Sequence, residues 1–486
     1  MIPQLLQHVK GLLPDRHPAR LTWHWLKAFM AALRYGFPAR NLTVIGITGT
    51  DGKTTTVSMT AHILHEAGIA IGAVSTSFFR IKGTIEENPT HKTSMSPFIF
   101  QKFLHRCVRE GCTHVVAEIS SHGLVQHRND FLWPTVAAIT NISPEHLDYH
   151  GTMEQYTQDK AILFRMLRKD GASILNANDE TYDEYRKIPT RWRIAWSSSH
   201  TFASAVTQRG GRAPALADPE RNVPFDSSSM RSESLRAPFS FRRGPKGPRF
   251  SRRVNDHECA FWSTEIQEEP QGLRATVHCN AEEDTWNLHV NIPGRFNLEN
   301  ALCAISCAHA VGVAVDRAVS ALASFPGVPG RMERIDEGQL FSVYVDFTVT
   351  PKAYERTLSA IRATLAPGNR LLVLTGSCGN RMPEKRPMIG KIVSEMADVV
   401  VVSEDETVTE DPQKVLDEVW VGIDQNKTEA HQIFDRREGI AFLFKNAREG
   451  DAVALCGMGA CTTMQTRKGL RPWDEREVAR ELLRNI

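Results

Sequence analysis

A glycine-rich turn between a predicted strand and a predicted helix is the strongest constraint on the fold of this chain. The segment GTDGKT (Gly49–Thr54) follows the apolar run LTVIGITGT (Leu42–Thr50) and precedes the helix-prone KTTTVSMTAHILHEAG. Glycines let backbone N–H groups approach a phosphate closely, and the N-terminus of the following helix favours the anion. In such a loop Lys53 would reach the β- and γ-phosphates, and the Thr54 hydroxyl would hold Mg²⁺. The sequence therefore predicts a phosphate-binding loop.

The loop is a variant, because the usual pattern has glycine where this chain has Ile47. A tight strand–helix turn with a chance lysine is the alternative. The strand–loop–helix context favours phosphate binding.

Apolar strand runs alternate with helical segments, which is typical of a mostly parallel sheet covered by helices. After the first strand come THVVAEISS (Thr113–Ser121) and VAAITNIS (Val136–Ser143). The pattern resumes from Tyr344, with three further predicted strands, LLVLTGS (Leu371–Ser377), ADVVVVSED (Ala397–Asp405) and GDAVALCG (Gly450–Gly457). We predict an α/β protein in which a first sheet domain, carrying the phosphate-binding loop, meets a second sheet domain near GVPGRMERI (Gly327–Ile335).

The composition is that of an ordinary globular protein. Hydrophobic residues make up 41% of the 486 residues, and this length suggests about three domains. Lys plus Arg (58) nearly balance Asp plus Glu (56), which argues against nucleic-acid binding. The nine cysteines include no CxxC pair, which predicts reduced thiols. No apolar run is long enough to span a membrane and none resembles a signal peptide, so we expect a cytoplasmic protein.

Two segments fall outside the alternating pattern. The aromatic, basic stretch Leu21–Phe37 is predicted to be a helix packed on the first domain, within an N-terminal helical segment of residues 1–41. The alternative is weak contact with a membrane surface, with Lys27 and Arg34 at the lipid head groups. Residues 205–255, rich in Arg, Ser, Pro and Gly, are predicted to be a flexible, solvated insertion rather than a docking site for an anionic partner.

Six segments in order along the chain resemble the Mur ligase family, the ATP-dependent amide-forming enzymes of peptidoglycan synthesis. Within that family the resemblance is to the branch that adds the third amino acid of the muramyl peptide. The segments are GITGTDGKTTT (Gly46–Thr56), EISSHGLVQHR (Glu118–Arg128), TNISPEHLDYHGTMEQYTQDKAILF (Thr140–Phe164), PGRFNLENALCA (Pro293–Ala304), VPGRMERI (Val328–Ile335) and KRPMIG (Lys385–Gly390). Together they are far more specific than any single motif.

The resemblance implies a domain division. A central Mur ligase ATPase domain would occupy residues 42–330, including the insertion, and a C-terminal Rossmann-like ligase domain residues 331–486. The family also has a UDP-binding N-terminal domain. Only 41 residues precede the first strand here, so we expect that domain to be missing. Either the UDP of the substrate is then held less completely, or the substrate is not a UDP-nucleotide.

The resemblance also implies the reaction. The γ-phosphoryl group of ATP would pass to a substrate carboxylate, giving an acyl phosphate that an amine attacks as phosphate leaves. The expected catalytic residues are Lys53, Glu118, His146 and Lys160, and the last three would bind Mg²⁺ together with Thr54. An unmodified lysine is a cation that repels Mg²⁺, so Lys160 is expected to carry a carbamate.

Further residues are assigned to the nucleotide and the acceptor by the same resemblance. The residues expected to contact ATP are Gly49, Thr50, Asp51, Gly52, Lys53, Thr54 and Thr55, with Asn297 beside adenine and Arg331 and Asp346 joining when the domains close. The residues expected to bind the acceptor are Ser120, Ser121 and Arg128. The Arg128 guanidinium could pair with a carboxylate or a phosphate through two hydrogen bonds. Taken singly, each residue also has an ordinary structural explanation, and only the joint match favours a site.

The expected amino-acid site departs from the family pattern. Relatives that use meso-diaminopimelate carry Asp-Asn-Pro-Arg where this chain has DETV, so Val408 replaces the arginine that would hold the distal carboxylate. Cys461 stands where the family has a glutamate, and Val349 where it has a histidine. Arg381 and Asp405 remain as expected substrate-binding residues. The ATP machinery matches while amino-acid recognition is changed, which leaves the incoming amino acid open.

We therefore predict an ADP-forming ligase that adds an amino acid to a UDP-MurNAc-L-Ala-D-Glu-type acceptor in peptidoglycan precursor synthesis. The alternatives are a related ligase with a non-UDP peptide or polyglutamyl acceptor, and a nucleotide-binding homologue without catalysis. The expected cofactors are ATP and Mg²⁺, and the expected partners are small molecules. The chain is expected to be a monomer.

Overall fold

The computed structural model describes residues 14–88, 92–199, 258–269 and 272–486. Within these ranges the chain forms an eleven-stranded sheet, a six-stranded sheet and a two-stranded hairpin. The two large sheets follow one another along the chain, as the restart of the α/β pattern predicts. The predicted insertion at residues 205–255 lies outside the described residues.

The larger sheet has a parallel centre and antiparallel ends. Its strands are β1 (Thr43–Thr48), β2 (Ile71–Val74), β3 (Phe78–Ile81), β4 (Thr84–Glu87), β5 (His114–Glu118), β6 (Val136–Ile139), β7 (Ala172–Asn176), β8 (Trp192–Ser197), β9 (Glu258–Glu269), β10 (Gly272–Cys279) and β11 (Thr285–Val290). They pair in the order β11-β10-β9-β8-β7-β6-β1-β5-β2-β3-β4. From β9 to β2 all neighbours are parallel, while β10 and β11 at one end and β3 and β4 at the other pair antiparallel.

Strand β1 occupies the middle of this sheet, between β5 and β6, and all six of its residues are buried. Successive side chains of a strand point to opposite faces. Accordingly Ile45 and Ile47 join one apolar core, and Leu42 and Val44 join another on the other face. This burial on both faces explains why the strand is a continuous apolar run rather than an alternating one.

Helices cover both faces and the ends of the strands. In chain order they are α1 (Pro18–Arg34), α2 (Lys53–Glu66), α3 (Pro97–Arg109), α4 (Ser121–Val125), α5 (Leu147–His150), α6 (Met153–Arg165), α7 (Tyr182–Tyr185), α8 (Arg295–His309), α9 (Val315–Ala323), α10 (Pro351–Ala363), α11 (Lys385–Met396), α12 (Pro412–Trp420), α13 (Arg436–Asn446) and α14 (Glu475–Leu483). Helix α1 packs against α3, and α2 packs against α8. No helix among the described residues is long and apolar enough to cross a membrane.

The smaller sheet is parallel except at one edge. Its strands are β12 (Glu333–Ile335), β13 (Ser342–Asp346), β14 (Leu371–Thr375), β15 (Val399–Val402), β16 (Glu429–Gln432) and β17 (Ala452–Cys456), and the hairpin is β18 (Thr463–Thr466) with β19 (Gly469–Pro472). The order is β12-β13-β17-β14-β15-β16, and only β12 runs antiparallel to its neighbour. One apolar cluster continues from the larger sheet through Val328 and Met332 to Tyr344 and Tyr354.

The predicted fold class is confirmed, and the predicted strands are present with shorter bounds. The predicted helix over Leu21–Phe37 is observed as α1, three residues earlier at each end. Its last turn ends at Arg34, because Gly36 and Phe37 adopt left-handed backbone conformations that do not continue a helix. The antiparallel strands at both ends of the larger sheet were not predicted.

A buried ion pair joins the last two helices of the smaller sheet domain. The Arg436 guanidinium in α13 donates two hydrogen bonds to the Glu475 carboxylate in α14, of 2.8 and 2.6 Å, and neither side chain is exposed. The same guanidinium donates to the backbone oxygens of Glu404 and Cys456. A buried pair of this kind is costly to break from one side, because the remaining charge stays out of water.

Removing one partner of this pair should destabilise the domain. We expect Glu475→Gln to lower the free energy of unfolding by about 3 kcal/mol, because the buried Arg436 guanidinium then loses its ion-pair partner. Urea unfolding followed by circular dichroism and tryptophan fluorescence measures the change.

The exposed pair Arg437–Glu481 is a matched control, since it joins the same two helices at 2.8 Å with side chains 40% and 61% exposed. Glu481→Gln should change the free energy of unfolding by less than about 1 kcal/mol. Equal losses in the two variants would contradict the prediction.

Candidate active site

The glycine-rich loop lies between the end of β1 and the start of α2, as predicted. Gly49 has φ +145° and Gly52 has φ +79°, conformations that favour glycine. A Cβ on Gly49 would lie 1.9 Å from Thr140 Oγ1, and a Cβ on Gly52 would lie 2.2 Å from Asn300 Oδ1. Both glycines are therefore required by close approach of neighbouring side chains as well as by backbone conformation.

Side chains that follow β6, the neighbour of β1 in the sheet, and a tyrosine of α6 hold the loop in place. Thr140 donates to the backbone oxygen of Asp51 at 2.6 Å, and the Asp51 N–H donates to Asn141 Oδ1 at 3.0 Å. The Thr50 hydroxyl accepts from the Ser143 N–H at 3.0 Å and lies 3.2 Å from the Tyr156 hydroxyl. The loop conformation is thus fixed by the protein itself, before any ligand arrives.

The loop leaves one carboxylate oxygen without a partner. Asp51 Oδ2 is buried and makes no hydrogen bond among the described residues. Burial raises the pKa of this carboxyl group, and the nearby Glu145 raises it further, while Lys53 and Arg356 act in the opposite direction. This oxygen is available to a hydrogen-bond donor or a cation entering the loop.

The first turn of α2 brings together the predicted lysine, threonine and glutamate. Lys53 Nζ donates to the backbone oxygen of Thr50 at 2.6 Å, so its ammonium group lies over the loop. Thr54 Oγ1 donates to Glu118 Oε2 at 3.0 Å. Glu118 is the last residue of β5, opposite Ile47 of β1, and it is buried. The parallel pairing of β1 and β5 therefore places this carboxylate beside the loop.

Lys160 approaches the loop from α6 and is buried. Its Nζ donates to the backbone oxygen of Gly49 at 2.6 Å and lies 4.4 Å from the centre of the Tyr156 ring. Burial, and then the positive charge of Lys53, holds the pKa of Lys160 well below its usual range. A buried lysine amine with a lowered pKa is neutral, and therefore nucleophilic, at a lower pH than an exposed one.

His146 lies at the start of α5, close to His122. The two ring centres are 4.7 Å apart with perpendicular planes, and the tilted Tyr149 ring lies 4.2 Å from the His122 ring. Burial, together with the neighbouring His146 and His150, lowers the pKa of His122 to about 3. Burial, together with the positive charges of Lys53, Lys160 and Arg381, lowers the pKa of His146 to about 3. Both rings are therefore neutral at physiological pH, the form in which histidine binds a metal ion.

A chain of hydrogen bonds reaches the predicted acceptor-binding serine. The Ser121 hydroxyl lies 3.0 Å from His150 Nε2, and His150 Nδ1 lies 2.6 Å from Asp159 Oδ2. Arg16 forms an ion pair with the same carboxylate. Burial raises the pKa of Asp159, but the hydrogen bonds from His150 and Arg16 outweigh burial and hold that pKa below its usual range. Because an ionised carboxylate only accepts hydrogen bonds, His150 Nδ1 carries a proton, and in the neutral imidazole Nε2 accepts from Ser121.

The other two predicted acceptor residues lie beside this chain of hydrogen bonds. Ser120 caps α4 through a 3.1 Å bond from the Gly123 N–H. Arg128 donates to the backbone oxygen of Ser94 at 2.8 Å and to the side chain of Gln126. These bonds hold the Arg128 guanidinium next to the segment that caps α4.

The predicted nucleotide residues outside the loop occupy two places. Asn297, in the first turn of α8, is buried and accepts from Asn300, whose own oxygen faces Gly52 and Thr56. Arg331 comes from the segment that joins the two sheets and lies 3.5 Å from Thr54 Oγ1.

Asp346, at the end of β13, is held by the domain junction. Its carboxylate accepts from the Met332 N–H at 2.7 Å and from the Thr348 hydroxyl. Burial raises the pKa of Asp346, and the nearby Arg331 opposes that rise. The two sheets thus meet with Arg331 and Asp346 close to the loop.

The predicted amino-acid residues lie at the carboxyl ends of the strands in the smaller sheet. Asp405 is buried, and burial raises the pKa of its carboxyl group. Arg381 is exposed, and its charge acts on His146 of the larger sheet domain. A small cavity in this region is lined by Thr348, Val349, Gly376, Ser377, Cys378, Ile389 and Asp405. Val408 has φ +54°, a conformation that strains a β-branched residue.

Sequence comparisons agree with this geometry. Two family models match the chain, the Mur ligase middle domain over residues 47–209 and the Mur ligase glutamate ligase domain over residues 330–459. The UDP-N-acetylmuramoyl-L-alanyl-D-glutamate–2,6-diaminopimelate ligase of Nostoc sp. is 32% identical over 434 residues, 89% of this chain and 75% of its own length. The UDP-N-acetylmuramyl-tripeptide synthetase of Deinococcus radiodurans is 32% identical over 457 residues, 93% of this chain and 80% of its own. The chain belongs to the Mur ligase family.

Solved structures of Mur ligases share the fold. The MurF ligase of Thermotoga maritima in complex with ADP aligns with a TM-score of 0.61 at 16% identity, over 95% of this chain and 83% of its own. The expected family, fold class and enzyme class, an ATP-dependent ligase that joins a carboxyl group to an amino acid, are confirmed.

Several residues that build this Mur ligase site were not singled out from the sequence. Tyr156, His150 and Asp159 lie inside the segment Thr140–Phe164 on which the resemblance rests, and Asn300 lies beside Asn297 in RFNLEN. Their positions inside those segments were the sequence signal that could have identified them. For two cations of α10 the sequence offers no such signal. Lys352 and Arg356 both act to lower the pKa of Asp51, so they lie near the loop although they belong to the other domain.

Gly52→Ala should weaken ATP binding by this Mur ligase at least about tenfold, because the added Cβ would displace the backbone whose N–H groups face the phosphates. Gly68, after the other end of α2, has the same φ of +79° with nothing within 4 Å of a Cβ. Gly68→Ala is therefore the matched control, carrying the same backbone strain without the clash. Titration calorimetry with ATP measures both dissociation constants. Equal weakening in the two variants would show that backbone strain in the helix, not the loop, is responsible.

Proposed function

We propose that this Mur ligase activates a carboxylate of a muramyl peptide acceptor of the UDP-MurNAc-L-Ala-D-Glu type and joins it to an amino acid, in peptidoglycan precursor synthesis. The contact that carries the proposal is the 3.0 Å hydrogen bond from Thr54 to Glu118. It places a carboxylate beside the hydroxyl that follows the phosphate-loop lysine. A carboxylate and a hydroxyl at this point can together hold Mg²⁺ against the nucleotide phosphates, as phosphoryl transfer to an acceptor requires.

The donor set fits Mg²⁺ bound together with nucleotide phosphates. Glu118 and Thr54 supply oxygen atoms at one end of the loop, and Asp51 Oδ2 is buried without a partner. No three His, Cys, Asp or Glu side chains among the described residues converge as a metal site. Mg²⁺ commonly takes one or two protein carboxylates and completes its shell with phosphate oxygens and water. We therefore assign Thr54, Glu118 and the neutral His146 as metal ligands, with the ion neutralising phosphate charge.

Lys160 is proposed to complete this set as a carbamate. Its Nζ is buried within 2.6 Å of the Gly49 oxygen, and the pKa of its ammonium group is low. A neutral amine attacks the carbon of CO₂, loses a proton and becomes an anionic carbamate. The modification replaces a cation that would repel Mg²⁺ with an oxygen ligand.

Cations from both domains surround the proposed phosphate position. Lys53 belongs to the loop, Arg331 lies 3.5 Å from Thr54 Oγ1, and the charges of Lys352 and Arg356 act on Asp51. Charge neutralisation and positioning provide most of the catalysis in phosphoryl transfer. These side chains would hold the γ-phosphoryl group against the acceptor carboxylate and stabilise the charge that moves to ADP. Asn297 is proposed to lie next to adenine, and Asp346 to position Arg331.

The acceptor is proposed to bind at Ser120, Ser121 and Arg128. The hydrogen bond to His150 fixes the Ser121 hydroxyl, so the serine oxygen can accept a further hydrogen bond from the acceptor peptide. The guanidinium of Arg128 supplies the positive charge for a carboxylate or phosphate of the acceptor. Its present partners are a backbone oxygen and a neutral side chain, which a charged ligand can replace.

The amino acid is proposed to bind between Arg381 and Asp405. Asp405 is placed to accept a hydrogen bond from an ammonium group, and Val349 and Ile389 give the adjoining small cavity an apolar wall. Val408 supplies no charge for a distal carboxylate. The missing charge disfavours diaminopimelate and leaves the incoming amino acid open.

The remaining proposals concern the whole chain. We propose an N-terminal segment over residues 1–41, a central ATPase domain over 42–330 and a C-terminal ligase domain over 331–486. Residues 1–13 of the predicted N-terminal helical segment lie outside the described residues, and α1 is its described helix. The two sheets support this division, since β11 ends at Val290 and β12 begins at Glu333. We also propose that the protein acts as a monomer in the cytoplasm.

ADP release identifies the reaction. With Mg²⁺, UDP-MurNAc-L-Ala-D-Glu and a panel of amino acids, we expect ADP to form with one class of amino acid, and the acceptor to gain the mass of that amino acid minus water. Coupled detection of ADP and mass spectrometry of the product are the measurements. meso-Diaminopimelate should not give the highest kcat/KM of the panel, because no arginine holds the distal carboxylate.

Two outcomes separate the alternatives. ADP formation with a peptide or polyglutamyl acceptor, unaffected by added uridine nucleotides, would replace the UDP-linked acceptor in the proposal. Tight ATP binding without ADP release for any acceptor would indicate a nucleotide-binding homologue.

The carbamate on Lys160 can be observed without an assay of activity. Protein equilibrated with ¹³C-bicarbonate should show one carbamate resonance in its carbon NMR spectrum, and Lys160→Arg should abolish it. Lys391→Arg, at an exposed position on α11, should leave the resonance unchanged. We also expect Lys160→Arg to lower kcat by at least about a hundredfold, because a fixed cation would replace an anionic metal ligand. A wild-type spectrum without the resonance would refute the modification.

A further inference from the structure

The solvent-facing side of α1 is apolar. Of fourteen large hydrophobic side chains that are exposed in the described residues, five lie in this one helix. They are Trp23, Trp25, Leu26, Met30 and Leu33, between 38% and 59% exposed. On a helix of a globular protein the solvent-facing positions are normally polar, so these residues call for an explanation.

The helix is already packed on its other side. Ala28, Ala31 and Ala32 are buried, and the helix rests on α3. Trp25 stacks with Phe29 at the edge of this contact. The exposed apolar residues are therefore a second face, not part of the core.

Four of these residues form one stripe, which we call the α1 stripe: Trp23, Leu26, Met30 and Leu33. At 100° per residue they fall within about 80° of arc around the helix. The arc next to them carries Lys27 and Arg34, within about 40° of Trp23. An apolar stripe bordered by cations is the arrangement of helices that lie in the plane of a membrane surface.

The local charge is uniformly positive. From Arg16 to Thr50 the sequence contains five Lys or Arg and no Asp or Glu. Arg16 forms an ion pair with Asp159, and Arg20 with Asp15. Lys27, Arg34 and Arg40 carry further positive charge along the helix and just after it. Lys27 and Arg34 lie over the rings of Trp23 and Tyr35, where an aliphatic stem and an aromatic ring share one surface.

We propose that the α1 stripe binds an anionic lipid surface, with its apolar side chains at the boundary between acyl chains and head groups and with Lys27 and Arg34 at the lipid phosphates. The charge pattern selects lipid over a second copy of this chain. Two copies meeting through this face would bring like charges together, whereas an anionic bilayer supplies the opposite charge and an apolar layer at the same time. The binding is peripheral and reversible, as expected for one short helix.

Vesicle sedimentation tests the proposal. The full chain should bind vesicles of phosphatidylcholine containing phosphatidylglycerol, and bind pure phosphatidylcholine vesicles at least about tenfold more weakly. Leu33→Glu combined with Met30→Glu should reduce binding to the anionic vesicles about tenfold or more, since both charges would enter the interface. Lys27→Gln combined with Arg34→Gln should remove the preference for anionic lipid while leaving the apolar stripe intact.

Matched controls use exposed apolar residues elsewhere. Leu340 and Val421 are 71% and 77% exposed and lie in the smaller sheet domain. Leu340→Glu combined with Val421→Glu adds the same charge and should leave vesicle binding unchanged. Thermal unfolding and ATP binding, compared across all variants, show that each one is folded.

Three results would overturn the proposal. The first is no binding of the wild-type chain to anionic vesicles. The second is equal loss of binding in the α1 variants and the controls, which would indicate a general charge effect. The third is a concentration-dependent dimer of the wild-type chain that the Leu33→Glu and Met30→Glu changes abolish without any effect on vesicle binding, which would assign the stripe to self-association.

Discussion

The proposed chemistry depends on the pairing of β1 with β5 and on the hydrogen bond that it permits. Because the two strands are parallel neighbours in register, Ile47 lies opposite Glu118, and the loop that follows β1 begins beside the carboxylate that ends β5. The Thr54 hydroxyl then reaches this carboxylate at 3.0 Å. A shift of one residue in that register would turn Glu118 to the other face of the sheet. The buried apolar runs on both faces of β1 prevent such a shift, so the stability of the sheet and the geometry of the site have the same origin.

Most of the fold was accessible from the sequence because its signals are local. Buried parallel strands are apolar runs, and the glycine loop marks the junction of the first strand with its helix. The strands at the ends of the larger sheet were missed for a physical reason. β4 is exposed along its whole length, and β11 is only partly buried, so neither is a continuous apolar run. The N-terminal helix was placed to within three residues, and its end is set by two backbone conformations that helical periodicity alone does not show.

The candidate site was predicted in part. Residues of the phosphate loop, Glu118, His146 and Lys160 were named from segments of the sequence, and the structure brings them together around the loop. The cations of α10 were not named, because their role depends on how the two sheet domains meet, and that is a contact between distant parts of the chain. The burial of a side chain is a second property that the sequence does not show. Nothing in the letters QDKAILF indicates that Lys160 is enclosed, yet its enclosure is what lowers the pKa of the amine.

The hydrogen-bonded chain from Ser121 through His150 and Asp159 ends at Arg16, two residues before α1. It therefore crosses from the proposed acceptor site to the segment that leads into the exposed helix. If α1 moves on α3, the Arg16 guanidinium moves with it, and the Asp159 carboxylate loses a positive neighbour. The Asp159 carboxylate that orients the imidazole of His150 would then be less firmly held, and the Ser121 hydroxyl would gain freedom to rotate. The orientation of the Ser121 hydroxyl therefore depends on how α1 packs against α3.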